Sequence, residues 1–258
     1  MEKIKKHIFT TYKKKVYRYI SFDTFFKTIE TESLIFTRTD HFNDPLDNSR
    51  VLLGYNSKLF NNYYNFKDYS DTEWNEYIKQ SRIPVLDSFY ACCFSKVYLE
   101  KESYLMWSHY GQSHTQVCFE LDFSKHNYYG GPKEINYLND LTELRKNITT
   151  DEKHIGLKLI SYKSDIWSYE KEVRLIIDLN EPGQFQYKTI DNDKRLLVPF
   201  NPKLITKVIF GLKSSEKNEN RLAKLFDSIG HTKLIFEKML INPVSLKLES
   251  IVYLELDI

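Results

Sequence analysis

SFYACCFS, residues 88–95, is short, apolar and free of charged side chains, as a buried β-strand would be. From Ser88 onward the chain reads mainly as sheet. QVCFELD (116–122) alternates like a half-buried strand, and KEINYL (133–138) follows a Gly-Gly-Pro turn. EVRLIID (172–178), RLLVPF (195–200) and ITKVIFG (205–211) read as further strands, and KLIFEK (233–238) and VYLELD (252–257) complete the set. Helical spacing is expected in KESYLMWSHYG (101–111), closed by Gly111, in residues 139–160, and in EKNENRLAKLFDSIG (216–230), closed by Gly230.

Upstream, VYRYI (16–20) reads as a strand. Ser21 follows at an N-cap position, and Phe22, Phe25, Phe26 and Ile29 recur at helical spacing to about Thr31. LIFTR (34–38) is a second strand, followed by the turn-rich HFNDPLDN. Residues 57–82 have a helical pattern with Leu59, Tyr63, Phe66, Trp74, Tyr77 and Ile78 facing inward. Strands and helices do not alternate in a regular βαβ rhythm, so the expected class is α+β: a mixed, mostly antiparallel sheet, split or continuous, flanked by helices. The expected organisation is a basic arm over residues 1–15 and one α+β domain over 16–258, with a helical insertion at about 57–82.

Apolar residues make up 41% of the 258-residue chain and charged residues 28%, an ordinary globular balance. Net charge is 37 − 35 = +2, too small to imply nucleic acid by itself. Its distribution is uneven: Lys3, Lys5, Lys6, Lys13, Lys14, Lys15 and Arg18 are opposed only by Glu2, with Phe9, Tyr12, Tyr17 and Tyr19 interleaved. Such a strip is either a solvated arm or a phosphate-and-base contact surface. Cys92, Cys93 and Cys118 form no CxxC and read as reduced core residues, which fits a reducing cytosol. No apolar run approaches ~18 residues and no apolar signal region follows the N-terminal charges, so a cytoplasmic protein without a membrane partner is expected.

Three segments combine aromatic and ionisable side chains where a core would be aliphatic. FNDPLD (42–47) sets Asn43, Asp44 and Asp47 on a turn fixed by Pro45 and anchored by Phe42. MWSHYG (106–111) puts Met106 and Trp107 on a face that reads as core, and His109 and Tyr110 at a helix end, where they can reach a pocket mouth. His109 and His114 are five apart, a poor metal pair, and no zinc spacing accompanies them. In YEKEVRL (169–175), strand geometry would point Glu170, Glu172 and Arg174 to one side and Lys171 to the other. That set is either a surface ion-pair cluster or a carboxylate oriented for proton transfer or charge stabilisation.

In this order these segments resemble the bacterial family catalogued as domain of unknown function 2971. The shared pattern includes the early YRY, LIFTR before FNDPLD, CFS (93–95), MWSHYG, VCFELD, WSYEKEVRL (167–175) and VIFG (208–211), over roughly residues 17–230. One departure is His114-Thr115-Gln116, where the family pattern has His-x-Gly. More distantly the layout is similar to ADP-ribosyltransferase-like toxins that modify nucleic acid. That resemblance implies NAD as a substrate, no metal, and a fold of the ADP-ribosyltransferase kind. Arg18 or Tyr19 stands where those proteins have a histidine that holds NAD, and Glu172 takes the position of the catalytic glutamate.

The same resemblance implies that Arg18 or Arg38 pairs with the pyrophosphate and that Tyr19, Trp107 or Tyr110 stacks on nicotinamide or a target base. Asn43, Asp44, Ser95 and Arg174 complete the binding set, and His109 and Tyr110 join Glu172 as catalytic candidates. A toxin or anti-phage defence setting carries with it a nucleic-acid acceptor and a neutralising antitoxin protein. Two other readings of the residues stay open. One is a magnesium-dependent nuclease using Asp44, Asp47, Glu120, Asp122 and Glu172 with Lys125 or Lys171 nearby. The other is a non-catalytic module that binds nucleic acid or a protein partner through the basic arm and the tyrosines.

Overall fold

The computed structural model describes residues 12, 14–44, 47, 88–124, 131–139, 156–157, 159–181, 186–231 and 233–257. The helical insertion expected at 57–82, most of the basic arm and most of the helix expected at 139–160 lie outside the described residues.

β1 (Lys15–Ile20) leads into α1 (Phe22–Glu30), whose first turn is capped by Ser21 accepting from the Thr24 N–H at 3.2 Å. Phe22, Phe25, Phe26 and Ile29 all face inward, as their spacing predicts. β2 (Ser33–Arg38) follows, then a 3₁₀ turn at Thr39–His41. β3 (Phe89–Ser95), α2 (Ser103–His109) and β4 (Val117–Asp122) match the next three expected elements. The stretch at 133–138 is two short strands, β5 (Lys133–Glu134) and β6 (Asn136–Leu138), which pair with different partners on either side of Ile135. β7 (Tyr162–Ser164) and a 3₁₀ turn at Asp165–Glu170 precede β8 (Glu172–Asp178). The chain continues through β9 (Lys188–Ile190), β10 (Arg195–Pro199), β11 (Ile205–Phe210), α3 (Glu216–Ser228), β12 (Lys233–Ile241) and β13 (Leu248–Asp257).

Among the described residues, eleven strands form one sheet in the order β13-β12-β11-β4-β1-β3-β2-β10-β9, with β8 on β3 and β5 on β8. Its pairs are antiparallel except β11 with β12, where α3 makes the crossover. The class is therefore α+β with a mixed, mostly antiparallel sheet. Helices α1 and α3 bury phenylalanines against one face: the Phe25 ring lies 4.8 Å from Phe119 and 5.9 Å from Phe226. Each such side chain contributes about 1.5–3 kcal/mol by leaving water. On the other face α2 packs Trp107 edge-on to Tyr19 at 5.0 Å. No helix among the described residues is long and apolar enough to cross a membrane.

The turn from α2 to β4 contains His114-Thr115-Gln116. Gln112, Ser113 and His114 all have positive φ (44°, 56° and 69°), a left-handed run that L-residues adopt only when tertiary contacts enforce it. The enforcing contacts are visible. His114 stacks on Trp107, and the Gln116 side-chain oxygen accepts from the Phe22 N–H at 2.8 Å, satisfying a donor in the first turn of α1.

β1 and β2 share one edge of β3. β1 meets it at Ser95, through Tyr17, whereas β2 meets it at Ala91 and Tyr90. Between them the sheet opens. Arg18 reaches into this opening and donates to Cys92 Sγ at 2.7 Å and to the Ile35 carbonyl at 3.0 Å.

Candidate functional site

A cleft of about 340 Å³ lies at this opening. Arg18, Tyr19, Asn43, Ser95, Tyr110 and Glu172, all expected site residues, line it. Tyr17 and Phe42 supply further aromatic wall. The Tyr17 hydroxyl points away, donating to Glu120 at 2.8 Å, so that its ring is the surface left to the cleft.

Two carboxylates form the acidic end. Glu170 closes the 3₁₀ turn, Lys171 turns left-handed with φ 48°, and Glu172 opens β8. β8 begins at Glu172, as EVRLIID predicts, so Glu170 is not placed beside Glu172 by strand alternation. Both glutamates nevertheless meet one cation, because β7 delivers Lys163 between them: its Nζ lies 2.6 Å from Glu170 Oε2 and 3.3 Å from Glu172 Oε2. Asp47 Oδ2 is a third carboxylate oxygen at 3.7 Å. The ammonium also sits 4.9 Å from the centre of the Trp167 ring, a cation–π contact.

Beneath them Arg174 is fully buried. It grips Glu172 through Nε at 2.7 Å and Nη2 at 2.9 Å, and Asp47 through Nη1 at 3.0 Å and Nη2 at 2.5 Å. Phe42 stacks over the guanidinium, with 4.9 Å between Cζ and the ring centre. Asp47 is thereby fastened to β8 by a bidentate pair, the strongest geometry an ion pair offers. The Glu172 backbone N–H is met by Tyr137 Oη at 2.8 Å.

These contacts give the two glutamates opposite proton affinities. Burial raises Glu170, the neighbouring Glu172 charge raises it further, and Lys163 only partly opposes them, so Glu170 is pushed up to about 7. Burial acts on Glu172 in the same direction, but Arg174 and then Lys163 outweigh it and hold that carboxyl down to about 2. Lys163 is desolvated, yet the charges of Glu172, Glu170 and Asp47 raise it above the ordinary lysine value. Near neutral pH the site holds one fixed anion and one carboxyl that can gain or lose a proton. Tyr110 caps the second: its hydroxyl donates to Glu170 Oε1 at 2.5 Å and accepts from Asn43 Nδ2 at 3.3 Å.

The remaining expected residues lie outside the cleft lining. Trp107 is fully buried in the core behind it. His109 is exposed and bonded through Nδ1 to Tyr169 Oη at 2.9 Å. Arg38 pairs with Asp40 at 2.8 Å, Asp44 is buried in its turn, and Arg174 acts from below through Glu172 and Asp47. Among the described residues, no group of three His, Cys, Asp or Glu side chains is placed to hold a metal ion. Glu120 is engaged by Lys15 at 2.9 Å and by Thr206 at 2.7 Å.

Lys163 carries no signal in the sequence. It is a lone lysine in ISYKSD, seven residues before Glu170, and only the fold brings it inward. The unequal roles of Glu170 and Glu172 are equally hidden, since both belong to one Glu-x-Glu pattern. The chain was compared with protein-family models, curated proteins and solved structures, and none of them matches it.

Proposed function

We propose that the cleft is the active site of an NAD-consuming, ADP-ribosyltransferase-like enzyme that breaks the nicotinamide–ribose bond and passes the ribosyl carbon to an acceptor. The observation that carries this reading is the pair of glutamates on one lysine, one ionised and one titrating near neutrality, facing a cleft with an arginine and aromatic walls. Loss of nicotinamide leaves oxocarbenium-like positive charge on the ribose. The fixed Glu172 anion stabilises that charge more than it stabilises the ground state. Glu170, as carboxylate, takes the acceptor's proton while the acceptor's electron pair forms the new bond to the ribosyl carbon. The electron pair of the broken bond leaves with neutral nicotinamide.

Arg18 supports the anionic half of the substrate. Its planar, half-buried guanidinium suits a pyrophosphate. Tyr17, Tyr19, Phe42 and Tyr110 provide ring faces for nicotinamide or a base. The acceptor in this reading is nucleic acid, drawn in by the basic arm, and the setting is a toxin or anti-phage defence system with a neutralising protein partner.

The test is incubation with NAD labelled in the adenylate half, with and without nucleic acid, alongside thermal unfolding at increasing NAD. Nicotinamide release and a saturable rise in melting temperature are expected. A chain that neither releases nicotinamide nor is stabilised by NAD at millimolar concentration does not carry this activity.

A further inference from the structure

We infer that Lys163 is the positioning residue of the cleft: its buried ammonium holds the Glu170 and Glu172 carboxylates side by side and keeps Glu170 able to exchange a proton. The inference deepens the reading above and rests on it for its catalytic consequence, although its physical content can be measured without any substrate.

Asp47, Glu170 and Glu172 converge from a turn, a 3₁₀ segment and a strand. Arg174 compensates Asp47 and Glu172 through four contacts of 3.0 Å or less, yet no contact between Arg174 and Glu170 accompanies them. Among the described residues, Lys163 is the cation that pairs with Glu170, at 2.6 Å. Glu170 is also faced, among the described residues, by Tyr110 from the end of α2, whose phenol is raised by burial and by Glu170 itself, and by the Glu172 anion from β8. Tyr137 from β6 lies against Glu172, and Tyr169 precedes Glu170 in the chain. Without Lys163, no ion pair to Glu170 remains among the described residues; the Tyr110 hydroxyl still donates to the carboxyl, but burial and the Glu172 anion outweigh that neutral donor, so Glu170 would stay protonated at neutral pH and could not act as a base.

The ammonium is also held in place. Tyr162–Ser164 pairs in parallel with Asn136–Leu138, which sets the lysine backbone, and the Trp167 ring covers the charge. A lysine on a mobile surface segment would lose side-chain entropy on forming such a pair. Here that loss is incurred on folding.

The deciding measurement is a pH titration of the glutamate side-chain carboxyls by carbon NMR on the full chain, with Glu170 identified by the resonance missing in Glu170→Gln. Lys163→Met is expected to raise the Glu170 midpoint by about one to three pH units, and Lys163→Arg to restore most of the wild-type value. A Glu170 midpoint in Lys163→Met within a few tenths of wild type would overturn the inference. Should Lys163→Met fail to fold, the lysine Nζ signal of the native chain decides: it must shift with the Glu170 midpoint, and a Lys163 signal indifferent to pH between 5 and 9 would equally overturn it. If the carboxyl titration responds as expected while NAD is never consumed, the positioning role stands and the proposed activity falls.

Discussion

Tyr110 donates its hydroxyl to Glu170 Oε1 at 2.5 Å, tying the end of α2 to the turn before β8 across sixty residues of sequence. The bond sits at the mouth of the cleft, where Asn43 from a third segment completes it. Two helix and turn ends that carry little regular structure are thus fixed by polar contacts converging on one carboxyl. This dependence makes the site testable by substitution.

Stability should depend on pH with a sign set by Glu170. Its carboxyl is raised from 4.5 to about 7 in the folded state, so the folded chain binds more protons between those values and loses stability as pH climbs through them. The loss amounts to about 3 kcal/mol. Glu172, lowered to about 2, acts in the opposite sense and withdraws its stabilisation as pH falls below 4.5. Urea unfolding at pH 5 and pH 8 should show Glu170→Gln losing more than half of the wild-type difference. An unchanged difference would assign the pH dependence elsewhere.

Glu172→Gln should cost more than Glu170→Gln. It strips Arg174, fully buried, of one of its two carboxylate partners among the described residues and leaves Asp47 as the other. Breaking a buried pair from one side costs about 3–5 kcal/mol. Denaturant titration measures this directly, and a loss below about 1 kcal/mol would mean that Glu172 is not held as described. Turnover of this variant has to be corrected for its folded fraction before a catalytic role for Glu172 is read from it.

Turnover, if NAD is consumed, should rise with pH through about 7, because Glu170 accepts a proton only as the carboxylate. A rate profile flat between pH 5.5 and 8.5 would remove Glu170 from the chemistry.

Arg18→Met should weaken NAD binding by roughly 10- to 100-fold, the worth of a charge-assisted contact, while leaving an unbranched apolar side chain beside Phe94, over whose ring the Arg18 guanidinium carbon lies at 5.8 Å. Calorimetric titration with NAD checks it. Equal affinity in the variant would show that the anionic half of the ligand lies elsewhere.

Gly111→Ala should destabilise the chain by about 1–3 kcal/mol, because an added Cβ would lie 2.7 Å from Trp107 Cε3 and from the Trp107 carbonyl oxygen. Tyr110 is its neighbour, so a shifted Glu170 titration is expected in the same variant. Thermal unfolding and the carboxyl titration together check both effects.

Much of the fold was legible because its signals are local. SFYACCFS, VCFELD and EVRLIID are strands at or within one residue of their expected bounds, and the four apolar residues of α1 face inward as their spacing requires. KEINYL divides at Ile135 for a non-local reason, since Lys133–Glu134 completes the edge of β8 while Asn136–Leu138 pairs with β7. Within the site, Arg18, Asn43, Ser95, Tyr110 and Glu172 were identifiable as polar or ionisable side chains in aromatic surroundings, and they do line one cleft. Trp107 and His109 stand in the same motif as Tyr110 but face the core and the solvent, because successive helical residues are about 100° apart.

By itself the sequence determined where strands and helices form and which stretches are too polar to be core, since hydrophobic period, capping residues and turn chemistry act over a few positions. The tertiary structure alone decided which glutamate titrates. Proton affinity depends on charges within a few ångströms in space: Arg174 is near Glu172 by strand spacing, but Lys163 and Asp47 come within that range only when two further segments close on the Glu-x-Glu pair.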